Sequence, residues 1–200
     1  MILAVFGNDE QWNEIKKDIT AIEWLRLNSL NDITKDVDAI FIIEEDAIAD
    51  YNLTNLYFIN SVSRTLKELN APENVLRING WHGFLSRSNW EIAGAVNEKV
   101  IGIISALNKQ FTQVPDEPGF IAARVLAMII NEAWFALEEK ISTMAEIDTA
   151  MKLGTNYPYG PFEWSEKIGL KNILFLLQKL SETNKRYTIS SLLVQKSQQF

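Results

Sequence analysis

Pro115-Asp116-Glu117-Pro118-Gly119-Phe120-Ile121-Ala122-Ala123-Arg124 separates two stretches of different texture. The run that follows it, through Met151-Lys152-Leu153-Gly154 to Tyr157-Pro158-Tyr159-Gly160-Pro161-Phe162, decides what the second stretch is. From Phe120 to Glu139 apolar residues return every three or four positions: Phe120, Ile121, Leu126, Ile129, Ile130, Ala133, Trp134 and Leu137. That spacing predicts a long helix buried over much of its circumference. Thr143 and Glu146 have the spacing of a capping box and predict the start of the next helix. Gly154 stands where a C′ glycine would end it. Pro158 and Pro161 mark a loop, and two further helices are expected over residues 162–168 and 170–182. The domain boundary is placed near residue 113, giving domains of 1–113 and 114–200.

Toward the N-terminus the pattern changes from helical to alternating. Residues 2–6 form a short apolar run that ends in the turn chemistry of Gly7-Asn8-Asp9. Trp12, Ile15 and Ile19 have helical spacing over 9–19, and residues 21–27 read as a second strand. Residues 39–43 are continuously apolar, as in a strand buried on both faces. Further strands are expected at 56–59 and 75–78, and a helix over 96–110 through Val96, Val100, Ile103, Ile104 and Leu107. Alternating strands and helices predict a small parallel α/β sheet.

Bulk properties narrow the function. With 47% hydrophobic residues, the 200-residue chain can bury a core. A net charge of −7 and a pI near 4.9 argue against nucleic acid as a partner and against attraction to anionic membranes. The chain has no cysteine, which removes disulfides, thiol catalysis and cysteine metal sites and makes a reducing cytoplasm the expected setting. Met1-Ile2-Leu3-Ala4-Val5-Phe6 has no positive region before it and reads as a buried strand rather than a signal peptide. No apolar run approaches the roughly 18 residues of a membrane span. Glu44-Glu45-Asp46 reads as a charged strand end and Glu138-Glu139 as a solvated face, so no metal is expected. Tyr157, Tyr159, Phe162 and Trp164 are read as helix packing rather than as an acyl pocket.

The 115–161 stretch resembles the opening of the helical C-terminal domain of the 3-hydroxyacyl-CoA dehydrogenase family. That family reads roughly D-x-P-G-F-I-x-N-R, an acidic helix, then A-M-x-L-G-x-x-x-P-x-G-P. The end of the chain, Arg186-Tyr187 to Leu192-Leu193, is similar to the family's R-Y/F-x-P-S-P-L-L. The resemblance implies a Rossmann-like parallel sheet, here shortened, followed by an all-α domain like the C-terminal domain of 6-phosphogluconate dehydrogenase. It also implies NAD as cofactor, an acyl-CoA-type ligand from fatty-acid metabolism, and a homodimer built through the helical domain.

The functional positions depart from the pattern one by one. A dinucleotide turn reads G-x-G-x-x-G, so that backbone N–H groups can approach the pyrophosphate. Here it reads Gly7-Asn8-Asp9-Glu10-Gln11-Trp12, with a carboxylate at the second glycine and an indole at the third. Uncompensated, Asp9 would oppose a diphosphate by several kcal/mol. Only about ten residues separate the second strand from Asp38-Ala39-Ile40-Phe41, so most of the segment that in the family contacts CoA has no counterpart. Asn28 is the nearest candidate for a ribose hydroxyl. Gly7, Asn8 and Asn60 remain as possible cofactor contacts. Asn60-Ser61-Val62-Ser63 resembles the family's N-T-S-S; the serine that holds the substrate oxygen becomes Val62, with Ser63 beside it. Asn74-Val75-Leu76-Arg77-Ile78-Asn79-Gly80-Trp81-His82-Gly83 lies over R-V-x-G-x-H-F-F-N-P, which puts Asn79 at the general base. Glu91, twelve residues on, keeps the spacing of the glutamate that orients that base. An amide has no useful basicity, so proton abstraction is not expected at Asn79. Ala123 replaces the assisting asparagine. The expectation is a pseudoenzyme with degraded NAD and catalytic sites. The alternative is an active oxidoreductase in which His82, the only histidine, serves as a relocated base with Glu91.

Overall fold

The structure, a computed structural model, describes residues 1–32, 37–45, 47 and 51–198. It divides into two compact units, Met1–Phe120 and Ile121–Phe200. Residues 114–120 stay with the first unit, where the Arg77 guanidinium holds the Asp116 carboxylate and the Glu117 carbonyl.

The first unit runs β1 (Ile2–Phe6), α1 (Asp9–Ile15), β2 (Glu23–Leu27), β3 (Ala39–Ile42), β4 (Tyr57–Asn60), β5 (Val75–Ile78), β6 (Asn89–Ala93), α2 (Glu98–Ala106) and β7 (Gln110–Gln113). Its sheet has the order β2-β1-β3-β4-β5-β6-β7. All neighbours are parallel except β5 and β6, so the expected parallel sheet forms with one antiparallel pair. Between β1 and β3 the order of connection reverses, and ligands of open α/β sheets bind beyond the strand ends at such a switch point.

Every residue of β3, β4 and β5 is buried, because both faces of the sheet are covered. One face packs Val5, Phe41, Phe58 and Leu76 beneath Ile15 of α1 and Val100, Ile103 and Ile104 of α2. Phe41 and Phe58 stack there with ring centroids 4.7 Å apart. On the other face Ala4, Ile40, Ile42, Tyr57 and Val75 lie under Leu30, from a single 3₁₀ turn, and Tyr51, Leu66 and Leu69, from connecting segments rather than α-helices. The helix expected over 96–110 stops at Ala106. Asn108 then takes a left-handed φ of 53° and turns the chain back, so that Gln110 N–H donates to Ser88 O (2.8 Å) and opens β7. In the same way Asp18, with φ 62°, follows the shortened α1.

The second unit holds α3 (Ala122–Glu138), α4 (Met144–Thr155), α5 (Pro161–Ile168), α6 (Leu170–Thr183) and α7 (Ser191–Ser197). The expected capping box forms: Glu146 N–H donates to Thr143 Oγ1 (3.3 Å) and Thr143 N–H to Glu146 Oε2 (3.2 Å). Gly154 is not the C-cap. It lies inside α4, and Asn156 takes the left-handed position with φ 56°, which asparagine tolerates. Asp148 accepts the N–H groups of Phe162 (2.8 Å) and Glu163 (3.2 Å) at the start of α5. Burial raises its carboxyl pKa in spite of those bonds. Trp134 meets Phe162 edge-on at 5.1 Å, and Tyr159 meets Trp164 at 4.9 Å. Buried Asn131 donates from Nδ2 to Thr188 O (2.8 Å) and accepts Ser190 N–H (3.0 Å), which ties α3 to the start of α7. No helix among the described residues is long and apolar enough to cross a membrane.

Candidate functional site

Gly7 leads from β1 straight into α1, whose N-cap is Asn8. Asn8 Oδ1 accepts Gln11 N–H (2.9 Å) and Gln11 Oε1 accepts Asn8 N–H (3.1 Å), so the first turn closes as a capping box. Gln11 then reaches across the switch point, where its Nε2 donates to the carbonyl of Ile43 beyond β3 (2.8 Å). The same carbonyl accepts Asn60 Nδ2 from the end of β4 (3.0 Å). Asn60 Oδ1 in turn accepts Gly80 N–H beyond β5 (2.9 Å). Only glycine fits at 80, since a Cβ there would lie 2.7 Å from Asn60 Cγ.

This turn does not fit NAD. A Cβ on Gly7 would lie 2.9 Å from Gln11 Oε1, so the approach that a pyrophosphate needs is filled by a side chain. The charge expected to repel a phosphate, Asp9, is paired with Arg26, and both are exposed. Trp12 packs edge-on against Trp24 at 6.3 Å, with Lys16 over its ring at 4.8 Å. Of the expected cofactor contacts, Gly7, Asn8 and Asn60 do converge on the switch point, but they converge on one another through Gln11 and Ile43.

Asn79 follows β5 and is buried. Its Oδ1 accepts Trp81 N–H (3.2 Å), while its Nδ2 is buried without a hydrogen-bond partner among the described residues. The β5–β6 ladder pairs Arg77 with Ala93 and Ile78 with Ile92, so one further step sets Glu91 opposite Asn79. The twelve-residue spacing is therefore a cross-strand neighbour relation. His82 Nδ1 lies 2.6 Å from Glu10 Oε1 on α1. The carboxylate beside that nitrogen is Glu10, and the charge of Glu91 acts on the Arg87 guanidinium. Ser63 is buried, and its Oγ likewise finds no hydrogen-bond partner among the described residues. Val62 and Ala123 are fully buried apolar positions.

Glu45 and Arg77 form a second layer that sequence reasoning missed. Glu45 accepts Val62 N–H (3.3 Å) and Trp81 Nε1–H (2.6 Å), a bracing role rather than metal ligation. Among the described residues no group of three or more His, Asp or Glu could hold a metal; Asp46 lies outside them. Arg77 is wholly buried on β5. It donates from Nε to Ser61 O (2.8 Å), from Nη2 to Val62 O (3.1 Å) and from Nη1 to Asp116 Oδ1 (2.6 Å). Its guanidinium lies 4.7 Å from the Phe120 ring centroid. Burial lowers its pKa, and the hydrogen bond and charge of Asp116 oppose that shift. One signal was available: a single charge inside the apolar run Val75-Leu76-Arg77-Ile78. Chemically, the end of β5 offers amide and hydroxyl groups for hydrogen bonding. Asn79 cannot take up a proton there.

Comparison with known proteins places these features in a lineage. The model of the 3-hydroxyacyl-CoA dehydrogenase C-terminal domain matches residues 119–198. The chain is 42% identical over 112 residues to 3-hydroxyadipyl-CoA dehydrogenase of Escherichia coli K12, covering 52% of this chain and 24% of that protein. It is 30% identical over 190 residues to 3-hydroxybutyryl-CoA dehydrogenase of Clostridioides difficile, covering 90% of this chain and 64% of that one. It therefore spans between about a quarter and two thirds of these relatives. The crystal structure of 3-hydroxybutyryl-CoA dehydrogenase from E. coli K12 superposes with a TM-score of 0.62 at 32% identity, over 78% of this chain and 35% of that one. FadB2 of M. tuberculosis shares the fold, with a TM-score of 0.69 at 18% identity over 88% of this chain and 70% of that one.

Proposed function

Because the chain belongs to the 3-hydroxyacyl-CoA dehydrogenase family, we propose that it is a non-oxidising member. On this reading it is a pseudoenzyme that takes an acyl-CoA-type ligand and pairs with a second copy through its helical unit in the cytoplasm. The observation that carries the reading is Asn79. It directly follows the last β5–β6 pair, Ile78 with Ile92, where the family's motif puts its histidine, and its carboxamide oxygen is already committed to Trp81 N–H. A general base contributes roughly 10²–10⁴-fold to such a reaction, and an amide contributes none of it. Exposed apolar Ile121 and Val125 on and beside α3 support a face for self-association.

The test is an assay of 3-hydroxybutyryl-CoA with NAD, and of acetoacetyl-CoA with NADH, together with calorimetry using butyryl-CoA. Micromolar binding of butyryl-CoA without turnover is the expected result, and turnover at the rate of a competent dehydrogenase refutes it. A second reading has one observation in its favour. His82 Nδ1 lies 2.6 Å from Glu10 Oε1, so a carboxylate stands within ion-pair distance of the imidazole that would serve as base. Turnover that H82Q abolishes would establish it.

A further inference from the structure

The ends of β1, β3, β4 and β5 are joined across the switch point by two side-chain amides. The path runs from Asn8 N–H to Gln11, to Ile43 O, to Asn60 and to Gly80 N–H, with each link between 2.8 and 3.1 Å. We infer that the crevice is closed from within: the Gln11 and Asn60 carboxamides occupy it in place of a dinucleotide and brace the four strand ends against one another. This deepens the non-oxidising reading and rests on it in assigning no cofactor to the crevice.

Hydrogen-bond capacity is the first support. The Ile43 carbonyl has two lone pairs and accepts two donors, Gln11 Nε2 and Asn60 Nδ2. An anion at a helix N-terminus needs free backbone N–H groups. Here Asn8 N–H is taken by Gln11 Oε1 and Gln11 N–H by Asn8 Oδ1, which occupies two of the donors at the start of the helix. Packing is the second. A Cβ added at Gly7 or Gly80, the glycines flanking the path, would lie 2.9 Å from Gln11 Oε1 or 2.7 Å from Asn60 Cγ, so the two carboxamides sit against the open side of each glycine. Charge is the third, since Asp9 is neutralised by Arg26 and so does not by itself account for exclusion.

The experiment follows the thermal midpoint of the full chain with and without NAD, NADH or ADP-ribose. The wild type is expected to show no shift. Q11M keeps the volume but loses both hydrogen bonds; it should unfold several degrees lower and stay unresponsive. D9G restores the second glycine yet leaves Gln11 in place, so it too should stay unresponsive. D9G/Q11A empties the space and should gain a stabilisation by ADP-ribose that D9G alone lacks. A nucleotide shift in the wild type or in D9G, an unchanged midpoint for Q11M, or no response in D9G/Q11A each overturns the closure. If D9G/Q11A does not fold, Q11M and D9G still decide it. Binding of NADH by the wild type without turnover would sink the closure alone, whereas turnover would sink the non-oxidising reading.

Discussion

Removing the Asp116 carboxylate should destabilise the first unit more than removing the charge it faces. Arg77 is wholly buried, and the Asp116 side chain is 29% exposed. In D116A the Nη1 group keeps only Glu117 O at 3.4 Å, and the N–H groups of Leu66 (3.0 Å) and Lys67 (3.3 Å) lose their acceptor. Breaking a buried pair from one side costs about 3–5 kcal/mol, because the remaining charge stays buried. Water can reach the vacated carboxylate position, so the lower end applies, about 3 kcal/mol. For a chain of this size that lowers the thermal midpoint by roughly 10 °C. R77M removes the charge along with its bonds and should cost less, about 2 kcal/mol. In the D116A background R77M should be neutral or stabilising, since it removes the orphaned charge. Urea unfolding of the four species gives the coupling directly, and hydrogen exchange at Gly119, whose N–H donates to Val62 O at 2.7 Å, reports whether the 114–120 segment has come loose. Additive costs, or a D116A midpoint within a degree or two of wild type, would refute the reasoning.

N79H should not gain 3-hydroxyacyl-CoA oxidation, because the switch point stays filled; coupled NADH formation measures this, and any turnover above background counts against the closed crevice. N131A should cost about 2 kcal/mol in urea unfolding, as it orphans Thr188 O and Ser190 N–H at a site that is 1% exposed. N156G, at a φ of 56° that favours glycine, should stabilise by up to about 1 kcal/mol in the same assay. Acid should weaken the second unit. The Ser191 hydroxyl, the Ser142 hydroxyl and the Lys152 ammonium hold Glu138, Glu146 and Glu163 respectively below the ordinary glutamate value of 4.5. A carboxyl with a lowered folded pKa stabilises above its unfolded value and loses that contribution as pH falls through the folded one. Asp148, raised by burial, has the opposite sign and gains on protonation. Calorimetric melts should therefore show a midpoint that falls below pH 4.5, less steeply in E146Q; a flat profile would contradict the assignment.

Apolar content and periodicity made most of the fold legible. The fully buried strands β3, β4 and β5 need no partner pattern to be seen, and the long helical repeat marks α3. The expected helix ends at residue 110, where β7 begins, and the strand goes unread because its distinguishing event is the left-handed Asn108, and asparagine carries only a weak signal for that conformation. Its residues Gln110-Phe111-Thr112-Gln113 are largely exposed, so burial leaves no mark on them. Gly154 misled for the converse reason: a glycine near a helix end is the commoner C-cap, yet Asn156 provides it here.

The site was legible as a set of losses and illegible as a construction. Comparing residues with a motif registers that Asp9 and Trp12 are not glycines and that Asn79 is not a histidine, and it says nothing about position 11, which the motif leaves free. Gln11 matters only once Ile43 O is known to lie 2.8 Å from its amide, a relation 32 residues apart that no spacing rule contains. Arg77 stands where the motif has a glycine, and a large buried cation at such a place requires acceptors from elsewhere: Ser61 O, Val62 O and Asp116. The same bonds that satisfy the guanidinium therefore hold Ser61 and Val62 to β5, while Glu45 holds Val62 from the other side. On the closed-crevice reading, restoring one lost residue does not reopen the site, because Gln11 and Asn60 still brace the strand ends.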